Sequence, residues 1–136
     1  MLDLSFNEIR ERVTKLSLPQ FDLIVGIGTG GVVPASLIAY KTGIELLIIK
    51  INYRDEKNNP QYDEPVILSN IDKKISNKKI LLIDDVAVTG KTLETAKSIL
   101  QGNIIETLVF KGNADYVLFP KINTCVNWPW RIKWND

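Results

Sequence analysis

The residues whose types and spacing could do chemistry lie in the run Lys79-Ile80-Leu81-Leu82-Ile83-Asp84-Asp85-Val86-Ala87-Val88-Thr89-Gly90-Lys91-Thr92-Leu93. An aliphatic stretch stops at two acids and then passes through Thr-Gly-Lys-Thr. Neighbours on a strand point to opposite faces, so Asp84 and Asp85 are poorly arranged as a general acid–base dyad aimed at one atom. They suit hydrogen bonds from vicinal hydroxyls such as O2′ and O3′ of a ribose. The turn that follows, Ala87 to Thr92, leads into a helix, whose first N–H groups and positive dipole end favour a phosphate; the hydroxyls of Thr89 and Thr92 add to that. The run is not a P-loop, because that motif needs glycine where Asp85 stands. A phosphorylated sugar is the ligand these residue types imply. The plainer alternative is a strand end followed by a helix cap.

The elements that must position these groups follow from periodicity. Ile80 to Ile83 is an uninterrupted aliphatic run, the pattern of a parallel strand covered on both faces, with the acids at its carboxyl end. Ligands in open α/β sheets bind at that edge. The helix after it carries Leu93, Ala96, Ile99 and Leu100 and ends before Gly102. Upstream, Ser5-Phe6-Asn7-Glu8 has capping-box spacing and opens a helix from about Phe6 to Leu16. Phe21 to Ile27 reads as the first buried strand. Gly28-Thr29-Gly30-Gly31 is a second glycine-rich turn, and the helix beyond it has Pro34 in its first turn and stops at Gly43. Ile44 to Ile51 is a second strand, and Pro65 to Ser69 a short one. Ile104 to Phe110 is a further strand with Lys111 at its end, and Tyr116 to Phe119 one more. Asp55 to Glu64 is polar and aperiodic, a solvated connection or a lid. The tail from Cys125 to Trp134 holds all 3 tryptophans, too much apolar surface to hang free.

Composition narrows the classes. A chain of 136 residues supports a single domain, 1–136. Lys plus Arg total 17 against 16 Asp plus Glu, a net charge of +1, so no overall field points to nucleic acid or an anionic membrane. The absence of histidine removes Ser-His and Cys-His catalysis and His-based metal sites, and the single cysteine, Cys125, excludes an internal disulfide. The N-terminus has no basic leader region and no apolar run is long enough for a membrane span. The expectation is a cytoplasmic protein.

Four aliphatics, two acids and Thr-Gly-x-Thr together resemble the phosphoribosyl-pyrophosphate (PRPP) signature of the type I phosphoribosyltransferases, and Gly30-Gly31-Val32-Val33-Pro34 resembles the form in their xanthine/hypoxanthine-guanine members. The likeness runs from about Phe21 to Trp130. It implies a mostly parallel sheet flanked by helices, with a small C-terminal hood from about 112 to 136. It implies PRPP held by Thr29, Gly30 and Gly31 at the pyrophosphate, by Asp84 and Asp85 at the ribose, and by Ala87, Val88, Thr89, Gly90, Lys91 and Thr92 at the 5′-phosphate, with Val86 also among the PRPP-binding residues. Tyr53 and Arg54 would stand at the base of a flexible loop, about 54–64, that closes over the sugar. Lys111 would donate to a purine 6-oxo group, with Val126 and Trp128 at the base, and Asp85 would serve a Mg²⁺ ion. Asp84, Asp85 and position 88 make up the catalytic set.

Three positions depart from that pattern: Thr29 where a cation is usual, Val88 where an aspartate assists at N7, and Cys125 where an aromatic stacks on the base. The leading expectation is a Mg²⁺-dependent transfer of ribose 5-phosphate from PRPP to hypoxanthine, guanine or xanthine, by a homodimer or homotetramer that binds neither nucleic acid nor membrane. The alternatives are a non-catalytic PRPP or nucleotide sensor, and an enzyme for another nucleobase.

Overall fold

The computed structural model describes residues 1–52, 66–67 and 75–131. Tyr53, Arg54 and the expected loop at 54–64 lie outside these, as does the tail beyond Arg131. In chain order the elements are β1 (Leu2–Asp3), α1 (Phe6–Lys15), β2 (Leu23–Gly28), α2 (Val32–Thr42), β3 (Leu46–Asn52), β4 (Val66–Ile67), β5 (Lys79–Ala87), α3 (Lys91–Ile99), β6 (Ile104–Gly112), β7 (Tyr116–Val117) and β8 (Val126–Asn127).

Six strands form one sheet in the order β4-β3-β2-β5-β6-β7, parallel except where β4 runs against β3. From β2 the chain passes through α2 to β3 on one side. From β5 it passes through α3 to β6 on the other. The reversal of direction falls between β2 and β5, which is where open α/β sheets carry their ligand crevice.

Both faces of the sheet are covered, as the aliphatic runs require. Ile9 and Val13 of α1, Ala35 and Ile38 of α2, and Trp128 pack with Leu81, Ile83, Leu108 and Phe110 on one face. Leu93 and Ala96 of α3 pack with Ile80, Leu82 and Val109 on the other. Ile80 to Ile83 are 0% exposed, and each such side chain stabilises the fold by about 1.5–3 kcal/mol relative to exposure. Helix α1 opens on the expected capping box, with Ser5 and Glu8 exchanging hydrogen bonds between side chain and backbone. Gly43 ends α2 in the left-handed region at φ 73°, where its N–H donates to the Ala39 carbonyl.

Strand β5 is longer than its aliphatic run suggests. Toward β2 the ladder stops at Gly26↔Ile83, but toward β6 it continues through Asp84↔Val109 and Val86↔Lys111 to Ala87↔Gly112. The two acids are thus inside the strand on one edge and past the ladder on the other. For the same reason Lys111 lies within β6 rather than after it.

The ends of the described chain meet. β1 pairs in parallel with β8 (Leu2↔Val126, Asp3↔Asn127), and the Asn127 amide donates to the Asp3 carboxylate at 2.9 Å. Arg12 of α1 lies 5.0 Å from the Phe119 ring centre and donates to the Leu118 carbonyl, which ties the C-terminal segment to the helix. Among the described residues no helix is long and apolar enough to cross a membrane.

Candidate functional site

The site begins where β2 and β5 part. Asp84 and Asp85 are each 8% exposed. An Asp84 Oδ1 accepts the Asp85 N–H, and Asp85 Oδ1 accepts the Val86 N–H, both at 2.8 Å. Burial, and after it the charge and side chain of Asp85, hold the Asp84 carboxyl well above the usual carboxylate range; the Asp85 N–H and Arg131 act against that shift. The raised value reflects two carboxylates with little water, a site that gains when hydroxyl donors or a cation arrive.

The turn after β2 closes over Asp85. A Cβ on Gly30 would lie 2.7 Å from Asp85 Oδ1, and one on Gly31 would lie 2.6 Å from the Ile27 carbonyl and 2.7 Å from that of Ile83. Only glycine lets this turn sit against the strand ends, so the Gly-Gly pair is needed for close approach. The Gly28–Thr29 peptide is cis, and Thr29 is exposed.

The turn after β5 forms the neighbouring wall. Val88 and Thr89 are exposed, Gly90 is left-handed at φ 81°, and α3 starts at Lys91 without a side-chain cap. The Thr89 hydroxyl accepts the Lys91 N–H at 3.3 Å. A helix start of this kind is open to an anion.

Lys111 is half-buried and pairs in register with Val86, two residues along the sheet from Asp84. Val126 is half-buried in β8. Trp128 differs from its expected place beside a base: it is 2% exposed, stacked on Trp130 at 5.1 Å and 5°, and set edge-on to Phe110 at 6.0 Å. Its ring belongs to the core and offers no open face. Cys125 is exposed.

The residue that sequence reading missed is Arg131, whose Nη2 lies 3.6 Å from Asp85 Oδ2. It follows Trp130 directly, but its partner is set by tertiary packing, and no local signal points to the pair.

A divalent ion can be tested against these groups. Among the described residues no three Asp, Glu, Cys or His side chains converge as a complete metal cage. The two buried carboxylates are hard oxygen donors in the number that Mg²⁺ takes from a protein when substrate phosphates and water complete its shell, so the residues fit that ion.

Fold and site together define an α/β domain with two strand-to-helix turns flanking a pair of buried acids at the sheet's switch point. The chain belongs to the phosphoribosyl transferase domain family, whose sequence model matches residues 5–111. It is 36% identical over 104 residues to the orotate phosphoribosyltransferase of Sulfurisphaera tokodaii, covering 74% of this chain and 49% of that protein. It is 28% identical over 105 residues to the transcriptional regulator GfcR of Archaeoglobus fulgidus, covering 76% and 48%. The chain therefore spans about half the length of these curated relatives. The crystal structure of a purine phosphoribosyltransferase from Pyrococcus horikoshii superposes with a TM-score of 0.80 at 22% identity, covering 99% of this chain and 97% of the other. The fold is the type I phosphoribosyltransferase fold, a mostly parallel sheet with flanking helices.

Proposed function

We propose that this chain transfers the ribose 5-phosphate of PRPP to a 6-oxopurine, hypoxanthine, guanine or xanthine, releasing pyrophosphate. The observation that carries the reading is the fork between β2 and β5, where the Gly30 backbone meets the Asp85 carboxylate beside the start of α3. Asp84 and Asp85 accept hydrogen bonds from the ribose hydroxyls. The turn from Ala87 to Thr92 binds the 5′-phosphate, and Thr29 to Gly31 bind the pyrophosphate. The base nitrogen bonds to C1′ as the C1′–O bond to pyrophosphate breaks; pyrophosphate leaves with the electron pair, and the proton lost from the purine imidazole ring passes to water, since Val88 offers no base. A bound Mg²⁺ supplies neutralisation of the pyrophosphate charge, and Asp85 is the residue that would hold it. Lys111, half-buried beside Val86, donates to the 6-oxo group, with Val126 against the ring. The protein acts in the cytoplasm as a homodimer or homotetramer, which sedimentation checks.

A second reading, a PRPP or nucleotide sensor, is favoured by Val88. This side chain is 66% exposed in the phosphate turn and brings no acid to the base. Relatives named as transcriptional regulators lie beside named transferases among the similar proteins.

The test is pyrophosphate release from PRPP and Mg²⁺ with each of hypoxanthine, guanine, xanthine, adenine, uracil and orotate. Release with a 6-oxopurine is expected. Release with adenine, uracil or orotate alone would overturn the base assignment, and tight PRPP binding with no release for any base would favour the sensor. Lys111→Ala distinguishes base reading from structure: 6-oxopurine use should fall about 10–100-fold, the loss of one or two polar contacts, while PRPP affinity holds.

A further inference from the structure

Past Ile83 strand β5 has left β2, and among the described residues β6 alone carries the ladder on to Ala87. The place of Lys111 relative to the acids and the turn after them therefore depends on how the last residues of β6 are held. Two features hold them, one on each side of the three-residue return, Asn113 to Asp115, that leads into β7.

The first is Gly112. It pairs in register with Ala87 at φ 112°, in the left-handed region that side chains rarely adopt. A Cβ there would run into the Ala87 carbonyl oxygen and lie 2.9 Å from both the carbonyl carbon and the nitrogen of that residue. The bare backbone lets the Asn113 N–H donate to the Ala87 carbonyl at 3.1 Å. Of the two strand ends Ala87 is the fixed one, being 6% exposed in the same cluster as Leu93, Ala96 and Val109, whereas Gly112 and Asn113 are exposed. A side chain at 112 would lift the end of β6, and Lys111 with it, and leave the turn after β5 in place.

The second is Asp115. Its Oδ2 accepts the Thr107 N–H at 2.8 Å and the Thr107 hydroxyl at 3.0 Å, and its own N–H donates to that hydroxyl at 3.0 Å. Thr107 is 3% exposed, so its N–H would be left buried and unpaired without the carboxylate. The staple fastens the return to the body of β6. With only three residues between the strands, the return has no slack to absorb a displacement at Gly112.

We propose that Gly112 and Asp115 are positioning residues for base recognition: they hold the end of β6 against Ala87 and so fix where Lys111 meets the base. The proposal rests on the base-reading role given to Lys111 above and adds the residues that keep this lysine in register with the turn that takes the 5′-phosphate.

Pyrophosphate release from PRPP with hypoxanthine, guanine and xanthine, together with calorimetry of PRPP binding, tests it on the full chain. Gly112→Ala should lower kcat/KM for the 6-oxopurine roughly 10- to 100-fold, since a misplacement of about 1 Å can cost on the order of 100-fold, and leave PRPP affinity unchanged. Asp115→Ala should give a smaller loss of the same kind. Asp115→Asn, which keeps an acceptor for the Thr107 N–H, should recover most of it. In a double-mutant cycle both losses should vanish once Lys111→Ala is in place, because neither residue acts on the base except through the lysine. Losses that persist in full in the Lys111→Ala background, or that fall equally on PRPP affinity, would overturn the proposal and make the two residues general supports of the fold. If Gly112→Ala does not fold, the two Asp115 variants decide by the same cycle. Full 6-oxopurine use by Lys111→Ala, or no release with any 6-oxopurine by the wild type, would instead remove the base reading, and this proposal with it.

Discussion

The Cα of Gly30 faces the Asp85 carboxylate so closely that one added carbon would lie 2.7 Å from Oδ1 and 2.8 Å from Oδ2. The turn after β2 and strand β5, far apart in the chain, are thereby fitted to each other. Asp85 cannot swing aside without loss, since Oδ1 holds the Val86 N–H and Oδ2 faces Arg131. Gly30→Ala should therefore displace the carboxylate and weaken PRPP by about 10-fold or more, the worth of one charge-assisted hydrogen bond. Titration calorimetry checks this. A variant with wild-type affinity would mean that Asp85 is not fitted to the substrate through this turn.

Asp84 makes the metal-free protein sensitive to pH. Its carboxyl is held above the ordinary range, so the native state keeps a proton that the unfolded chain has released. The contribution of Asp84 to stability is then fully present below about pH 4, the ordinary aspartate range, and is lost as pH rises through the raised value. Asp84→Asn removes that decline. Thermal melts in chelator should show the variant's advantage in Tm growing from acid to neutral pH, to a few degrees, while its PRPP affinity falls. A difference in Tm independent of pH would exclude the buried charge as its source.

Val88 is exposed in the turn between β5 and α3, where on the proposed reading an acid would assist the base. Its exposure means that aspartate can be introduced without disturbing the core. Acid–base assistance is typically worth ~10²–10⁴-fold, so Val88→Asp should raise turnover with a 6-oxopurine by at least about tenfold. Steady-state pyrophosphate release measures it. Turnover that falls in the variant would point to a different base.

Trp128 should behave as a core residue. Buried at 2% exposure between Trp130 and Phe110, it joins the C-terminal segment to the sheet. Trp128→Ala should cost about 3–5 kcal/mol in chemical denaturation, as large-to-small core changes of this size do. A variant of wild-type stability with only its base affinity reduced would restore the ring to the base site.

What the sequence by itself determined is the contiguous part of the site. The strand, the two acids, the turn after them and α3 follow one another without interruption, and strand burial, turn chemistry and helix periodicity are local properties that can be read from neighbours. The Ser5–Glu8 capping box and the left-handed Gly43 are legible for the same reason. Tertiary structure alone decided how far β5 runs, because its extension to Ala87 depends on pairing with β6 and not on its own aliphatic pattern. It also decided the pairing of β1 with β8 and the choice of Trp128 as core. In the tail, tryptophan spacing is compatible with either a base platform or a packed cluster, and the contact with Phe110 selects the second. Arg131 is the clearest instance. A charge after an aromatic is an ordinary surface residue in sequence, and only the packing of Trp128 and Trp130 on the sheet brings its guanidinium to Asp85.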